Sequence, residues 1–219
     1  MTILILIPSY NDNEHLPELI RRIQEHSTLP ILLLDDGSVE PVSHQTEDNI
    51  VIIRNEFNLG KGATLKKGFD YASEHGFSHV ITIDSDLQHS PEKIDDFSKF
   101  DEHCDLVCGK RIIDNTMPIH RRVSNQLTSW IISVLCGKDI HDSQCGYRRY
   151  SVKAVLAIKC AENGFQFESE ILIKLLKQNA TFGHIVIPTA YGDEVSSIHN
   201  MSDTFKFIKL ILGNLWQKH

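Results

Sequence analysis

Residues 80–91 read Val80-Ile81-Thr82-Ile83-Asp84-Ser85-Asp86-Leu87-Gln88-His89-Ser90-Pro91, an apolar run that ends in two spaced carboxylates and a glutamine. A short run rich in β-branched residues predicts a buried strand, and Pro91 with Glu92 behind it predicts the start of a helix. Asp84 and Asp86 then stand at the carboxyl end of a strand, where α/β sheets bind their ligands. Asp-x-Asp in that place offers hard oxygens to a divalent cation, and such a cation commonly holds a diphosphate. The competing reading is an acidic surface turn, which the tripeptide alone favours.

The flanking sequence repeats the pattern. Strands are predicted at 3–7, 31–34, 50–53, 79–83 and 105–108, with helices at 14–26, 62–74 and 91–100 between them. Alternation of this kind predicts βαβ units, hence an α/β fold with a mostly parallel central sheet flanked by helices. After residue 110 the pattern changes. Helices are predicted at 124–136, 151–159, 168–178 and 203–216, with a strand at 184–187 and a polar connection over 141–150. No linker and no repeat interrupts the chain, so 1–219 reads as a single domain. Its first half, about 1–110, suits a nucleotide, and about 111–219 suits an acceptor.

Composition narrows the classes. The chain has 219 residues, 41% hydrophobic and 23% charged, which is ordinary for a globular protein. A net charge of −7 argues against nucleic-acid binding. Five cysteines without a CxxC pair read as reduced structural thiols in a cytoplasmic protein. The twelve histidines show no metal-ligand spacing. No stretch reaches the roughly 18–20 apolar residues of a membrane span.

Each early strand ends in polar residues: Pro8-Ser9-Tyr10-Asn11-Asp12, Asp35-Asp36-Gly37-Ser38 and Asp84-Ser85-Asp86. Parallel strands bring these ends to one sheet edge. Carboxylates there can accept from base or ribose donors, and Tyr10 can cover a flat ring. Capping explains Ser38 and Ser90. Five carboxylates on one edge repel one another unless a cation joins them. Asn58-Leu59-Gly60-Lys61-Gly62-Ala63 opens a helix, where glycines admit a ligand and the helix end favours phosphate; a turn with a surface lysine fits these residues equally. Arg121-Arg122 and Arg148-Arg149 read first as solvated surface charge, whereas Arg111 sits at the ligand edge.

With these stretches in hand, the chain resembles the inverting family 2 glycosyltransferases of the GT-A (nucleotide-diphospho-sugar transferase) fold, and among them the polyprenyl-phosphate, dolichol-phosphate-type sugar transferases. The resemblance rests on Ile7–Asp12, Asp35–Ser38, Asn58–Ala63, Asp84–Glu92, Gly109–Arg111, Asp142–Arg148 and Phe167–Glu170, and it covers roughly residues 3–175 in order. It implies that Pro8, Tyr10, Asp12, Asp35 and Asp36 hold the nucleotide of a sugar donor, with Lys61 and Gly62 beside them. It also implies that Asp84, Asp86 and Gln88 hold Mg²⁺ or Mn²⁺ on the diphosphate. Arg111 and Arg122 would meet an acceptor phosphate, and Asp142 and Gln144 would line the reaction centre. Asp12 stands where the family usually has Glu, and Lys110 where it has a small residue. Many relatives also carry C-terminal membrane helices, for which this sequence has no counterpart.

The expected reaction is displacement at the anomeric carbon with inversion. A phosphate acceptor is largely ionised at neutral pH and needs no strong base, whereas a sugar hydroxyl needs one, for which Asp142 is the candidate. Residues 203–217 carry Phe205, Phe207, Leu210 and Trp216 among lysines. They suit peripheral contact with the cytoplasmic membrane face, core packing or a homodimer contact. Transfer to a polyprenyl phosphate leads, transfer to a glycan or small-molecule hydroxyl follows, and a non-catalytic nucleotide-sugar-binding protein comes third. The base and the sugar stay open.

Overall fold

The computed structural model describes residues 1–43, 49–112, 119–188 and 210–211. The predicted strands appear as β1 (Ile3–Ser9), β2 (Ile31–Asp35), β3 (Ile50–Arg54), β4 (His79–Thr82) and β5 (Leu106–Arg111). Between them lie α1 (Leu16–His26), α2 (Lys61–Glu74), a 3₁₀ turn at Pro91–Lys93 and the short α3 (Ile94–Ser98). The second half supplies α4 (Ile119–Cys136), β6 (Arg148–Ser151), α5 (Val152–Leu156), α6 (Phe167–Lys177) and β7 (Phe182–Ile187). The expected 151–159 helix is shorter than its pattern suggested, ending at Leu156. Of the expected 203–216 helix only Leu210 and Ile211 fall among the described residues; both are helical, and Leu210 is buried in the core.

Local chemistry explains the elements that frame the site. In α1, Pro17 stands in the first turn, and Leu16, Leu19, Ile20 and Ile23 bury one face at helical spacing. β1, β2 and β4 are buried on both faces, hence their unbroken apolar runs. Alternate residues feed two layers. Leu4 and Leu6 pack with Leu65, Phe69 and Ile171 on one side, and Ile3, Ile5 and Ile7 with Leu19, Ile23 and Phe97 on the other.

Seven strands make one sheet in the order β3-β2-β1-β4-β6-β5-β7. β6 runs antiparallel to both β4 and β5, and every other pairing is parallel. This central strand corrects the expectation of a polar connection through residue 150. Its sequence, Arg-Arg-Tyr-Ser, has no apolar alternation to announce it. It also corrects the reading of Arg148 and Arg149 as surface charge, because both are 0% exposed. Neighbours in a strand face opposite ways. Arg148 enters the α6 layer and donates to the carbonyls of Ser143, Cys145 and Glu168, each at 2.7 Å. Arg149 enters the α3 layer and donates to the carbonyls of Phe97 (3.1 Å), Phe100 (2.8 Å) and Cys104 (3.3 Å). Neither lies within ion-pair reach of a carboxylate among the described residues; backbone oxygens hold the Arg148 fork and both Nη groups of Arg149, while Arg149 Nε is buried without a partner. All five cysteines are free thiols, and Cys104 lies just ahead of β5 rather than in it.

Candidate active site

The ends of β1, β2 and β4 abut: Ser9 pairs with Asp35, Leu6 pairs with Thr82, and Asp36 N–H donates to Ser9 O at 2.8 Å. The sheet therefore gathers Pro8, Tyr10, Asp35, Asp36 and Asp84 at one edge. Tyr10 is 48% exposed, leaving its ring open to a flat partner. Asp12 contacts the His15 ring in the turn before α1.

Asp35 and Asp36 are buried and face inward. Asp35 accepts from the N–H groups of Ser38 (2.9 Å) and Val42 (3.1 Å) and pairs with Arg54. Burial works against its charge, but those donors prevail and hold its carboxyl below the usual range. Asp36 accepts from Asn55 Nδ2 (2.8 Å), Leu59 N–H (2.9 Å) and Gly60 N–H (2.9 Å). The two carboxylates thus shape the loops around the edge. Their crowding is relieved by Arg54 and backbone donors, which the sequence argument for a cation did not weigh.

Lys61, first residue of α2, reaches across to β4. Its Nζ lies 2.6 Å from Asp84 Oδ1 and 3.1 Å from Glu168 Oε1 on α6. The buried His89 ring stands 3.8 Å from Asp84 Oδ2. Burial disfavours the charges of this cluster, but attraction between Lys61 and Asp84 wins: the Asp84 carboxyl is held well below, and the Lys61 ammonium well above, their ordinary values. Two glycines make room for it. A Cβ on Gly146 would stand 2.6 Å from Asp84 Oδ2 and 2.9 Å from Glu168 Oε1, and one on Gly62 would stand 2.5 Å from Phe167 Cβ. Gly62 therefore lets α2 meet the first residue of α6 and the Asn163–Gly164 backbone before it, a closer use than access for a ligand. Glu168 belongs to a motif that marked the chain, yet no role in the sequence pointed to it.

Asp86 and Gln88 are half-buried beside this cluster, with Gln88 N–H donating to Asp86 Oδ1 at 3.1 Å. Leu87 between them has φ +58°, a left-handed conformation that leucine seldom adopts. Such outliers concentrate at ligand sites. The described residues contain no group of three or more His, Cys, Asp or Glu placed to hold a metal ion alone.

Arg111, ending β5, forms a fork on the buried Asp142: Nε to Oδ2 at 2.7 Å and Nη2 to Oδ1 at 3.0 Å, with its backbone N–H 3.3 Å from Oδ2. Gln144 N–H adds a bond of 3.2 Å to Oδ1, while the Gln144 side chain is exposed. Burial opposes ionisation of Asp142, but Arg111 overrides it and keeps the carboxyl below the usual range. Arg122 lies half-buried on α4. The segment from Asp142 to Tyr147 joins both clusters, touching Arg111 at one end and Asp84 at Gly146.

Comparison with known proteins agrees with this layout. The chain is 26% identical over 217 residues to the polyprenol monophosphomannose synthase of Mycolicibacterium smegmatis, covering 91% of this chain and 80% of that one. It is 29% identical over 220 residues to the UDP-N-acetylglucosamine–dolichyl-phosphate N-acetylglucosaminyltransferase of Methanococcus voltae, covering 87% and 86%. Among solved structures, the glucosyl-3-phosphoglycerate synthase of Mycobacterium tuberculosis with Mn²⁺ and UDP-glucose superposes with a TM-score of 0.71 at 17% identity, covering 98% of this chain and 77% of that one. That likeness is one of fold, the GT-A arrangement of a mostly parallel sheet between helices. Residues 4–156 match the Glycosyl transferase family 2 pattern, spanning the whole edge from β1 through the Arg111–Asp142 pair to β6. The chain belongs to glycosyl transferase family 2 and is a glycosyltransferase.

Proposed function

We propose that this glycosyltransferase moves a sugar from a nucleotide donor to a polyprenyl phosphate, with inversion at the anomeric carbon. The observation that carries the reading is the Arg111–Asp142 fork. Both oxygens of Asp142 are engaged and Arg111 holds its carboxyl below the usual carboxylate range, so its affinity for a proton is low and it is a poor base for deprotonating a hydroxyl. A phosphate needs no such base, and a guanidinium at the site edge suits its oxygens. The names of the two relatives point the same way, since both act on polyprenyl-type lipids.

In this reading Tyr10, Pro8 and Asp12 flank the nucleotide, while Asp35 and Asp36 shape its pocket and Lys61 and Gly62 lie beside the diphosphate. Asp86 and Gln88, with Asp84, would hold Mg²⁺ or Mn²⁺. The donor set fits a cation that completes its shell with diphosphate oxygens, because one Asp84 oxygen is already paired with Lys61. Such a cation supplies positive charge where the leaving diphosphate gains negative charge. A phosphate oxygen of the acceptor attacks the anomeric carbon as the bond to the nucleoside diphosphate breaks, and no proton has to move. Arg111 and Arg122 orient that phosphate, with Gln144 beside the sugar.

The test is transfer of labelled sugar, with Mn²⁺ present, to polyprenyl phosphate, to the matching polyprenol and to a glycan. Transfer to the phosphate alone is expected, and equal transfer to either hydroxyl acceptor overturns the reading. Asp86→Ala should lower turnover by about a hundredfold or more; near-normal activity in that variant removes Asp86 from the metal set.

A further inference from the structure

Two carboxylates share one lysine at the end of β4. Lys61 Nζ lies 2.6 Å from Asp84 Oδ1 and 3.1 Å from Glu168 Oε1, and the three side chains are between 13% and 25% exposed. A Cβ on Gly146 would meet an oxygen of each carboxylate, so the pair closes on one spot of backbone. Lys61 opens α2, whose first turn holds no acidic residue. The positive end of a helix disfavours an ammonium, and the carboxylates that hold this one come from other elements.

Glu168 is not needed to join its helix to α2. Ala63 N–H donates to Asn163 O at 3.1 Å, Lys66 Nζ donates to Asn163 Oδ1 at 2.9 Å, and Phe167 packs against Gly62. Glu170, two residues on, secures the segment before α6. It accepts from the N–H groups of Ala161 (2.9 Å) and Glu162 (2.8 Å) and pairs with Lys174 at 2.7 Å. Glu168 turns instead to Lys61, from beyond the 4–156 stretch that matches the family.

The demand on Asp84 gives Glu168 its task. In the proposed function that carboxylate joins Asp86 and Gln88 on a divalent cation, yet Lys61 holds its Oδ1 and the His89 ring stands 3.8 Å from its Oδ2. An ammonium and a cation on one carboxylate repel each other. The conflict is relieved where the ammonium has a second anion within reach, and Glu168 already touches it.

We propose that Glu168 is a positioning residue that keeps Lys61 when Asp84 turns to the cation, and so sets how tightly the cation binds. The proposal rests on the metal assignment of Asp84, Asp86 and Gln88.

The test measures Mn²⁺ binding by the full chain, from the paramagnetic resonance of free Mn²⁺, with UDP and in parallel with GDP. Glu168→Gln keeps the shape of the side chain and removes its charge. It should weaken Mn²⁺ binding about tenfold or more, because Lys61 then stays on Asp84. Glu168→Asp should recover part of that loss. In a Lys61→Met background, adding Glu168→Gln should change Mn²⁺ affinity by less than about twofold. Turnover of Glu168→Gln should fall at limiting Mn²⁺ and return at saturating Mn²⁺, a pattern that a lost helix contact does not give. Unchanged Mn²⁺ affinity in Glu168→Gln, with binding lost in Asp86→Ala, overturns the proposal and keeps the metal assignment. An equal loss in both Lys61 backgrounds also overturns it, since Glu168 would then act on the cation directly. Mn²⁺ bound no tighter with either nucleotide than without, or bound equally after Asp86→Ala, sinks the metal assignment and the proposal with it.

Discussion

The two sides of the sheet solve the same problem with opposite charges. Around β1 and β2, buried carboxylates gather backbone N–H groups: Asp35 takes those of Ser38 and Val42, and Asp36 takes those of Leu59 and Gly60. Around β6, buried arginines gather backbone carbonyls: Arg148 takes Ser143, Cys145 and Glu168, and Arg149 takes Phe97, Phe100 and Cys104. The carboxylates are buried too, but the Val42, Leu59 and Gly60 amides they hold lie in part-exposed loops, where water can replace a lost partner. The arginines sit inside the layers, where nothing can. A charged residue next to a strand end therefore says little about ligands until its partners are known.

Removing an arginine should cost most. Arg148→Met strands three carbonyls in the core, which predicts a loss of about 3 kcal/mol and a fall in melting temperature of roughly 6–12 °C for a chain of this size. Arg148→Lys should recover only part of it, because one ammonium cannot span the three oxygens as a fork does. An unchanged calorimetric melt for Arg148→Met would break the contrast. Asp36→Ala should cost less, about 1–2 kcal/mol, because its N–H partners lie in a half-buried loop. Its larger signature would be a raised KM for the nucleotide sugar with kcat little altered, since the loop before α2 would lose its anchor.

Acid should separate the two sides with the smallest effect. The folded-state pKa values of Asp35 and Asp142 are depressed, so their stabilisation is fully present above the unfolded value of about 3.9 and is lost as pH falls through the lower folded value. Guanidinium groups do not titrate there. Hydrogen exchange below about pH 4 should therefore open the 36–42 and 142–144 loops before β6. Earlier exchange at Arg148–Ser151 would reverse the expected order.

This contrast also explains what the sequence could disclose. The parallel half was legible because its strands are apolar on both faces and its polar partners lie close in the chain, within 24 residues for Asp35 and Asp36. The Asp84-Ser85-Asp86 edge was legible for the same reason. β6 was not, because Arg149 finds its carbonyls 45 to 52 residues away, and no local pattern marks a strand whose burial depends on them. Glu168 joined the Lys61–Asp84 cluster from α6 without a sequence signal beyond its motif. The pairing of Arg111 with Asp142, 31 positions apart, turned two separately expected roles into one.

The placement of β6 has a consequence for synthesis. It separates β4 from β5, so a growing chain that lacks it holds one parallel group, β3-β2-β1-β4, and the lone strand β5, with facing edges unpaired. Such edges invite pairing with other chains. At translation speeds of about 5–20 residues per second, the edge of β4 waits roughly 3–14 s after Thr82 is made before Ser151 completes the strand that covers it. Over that interval the nascent protein is most exposed to misassembly.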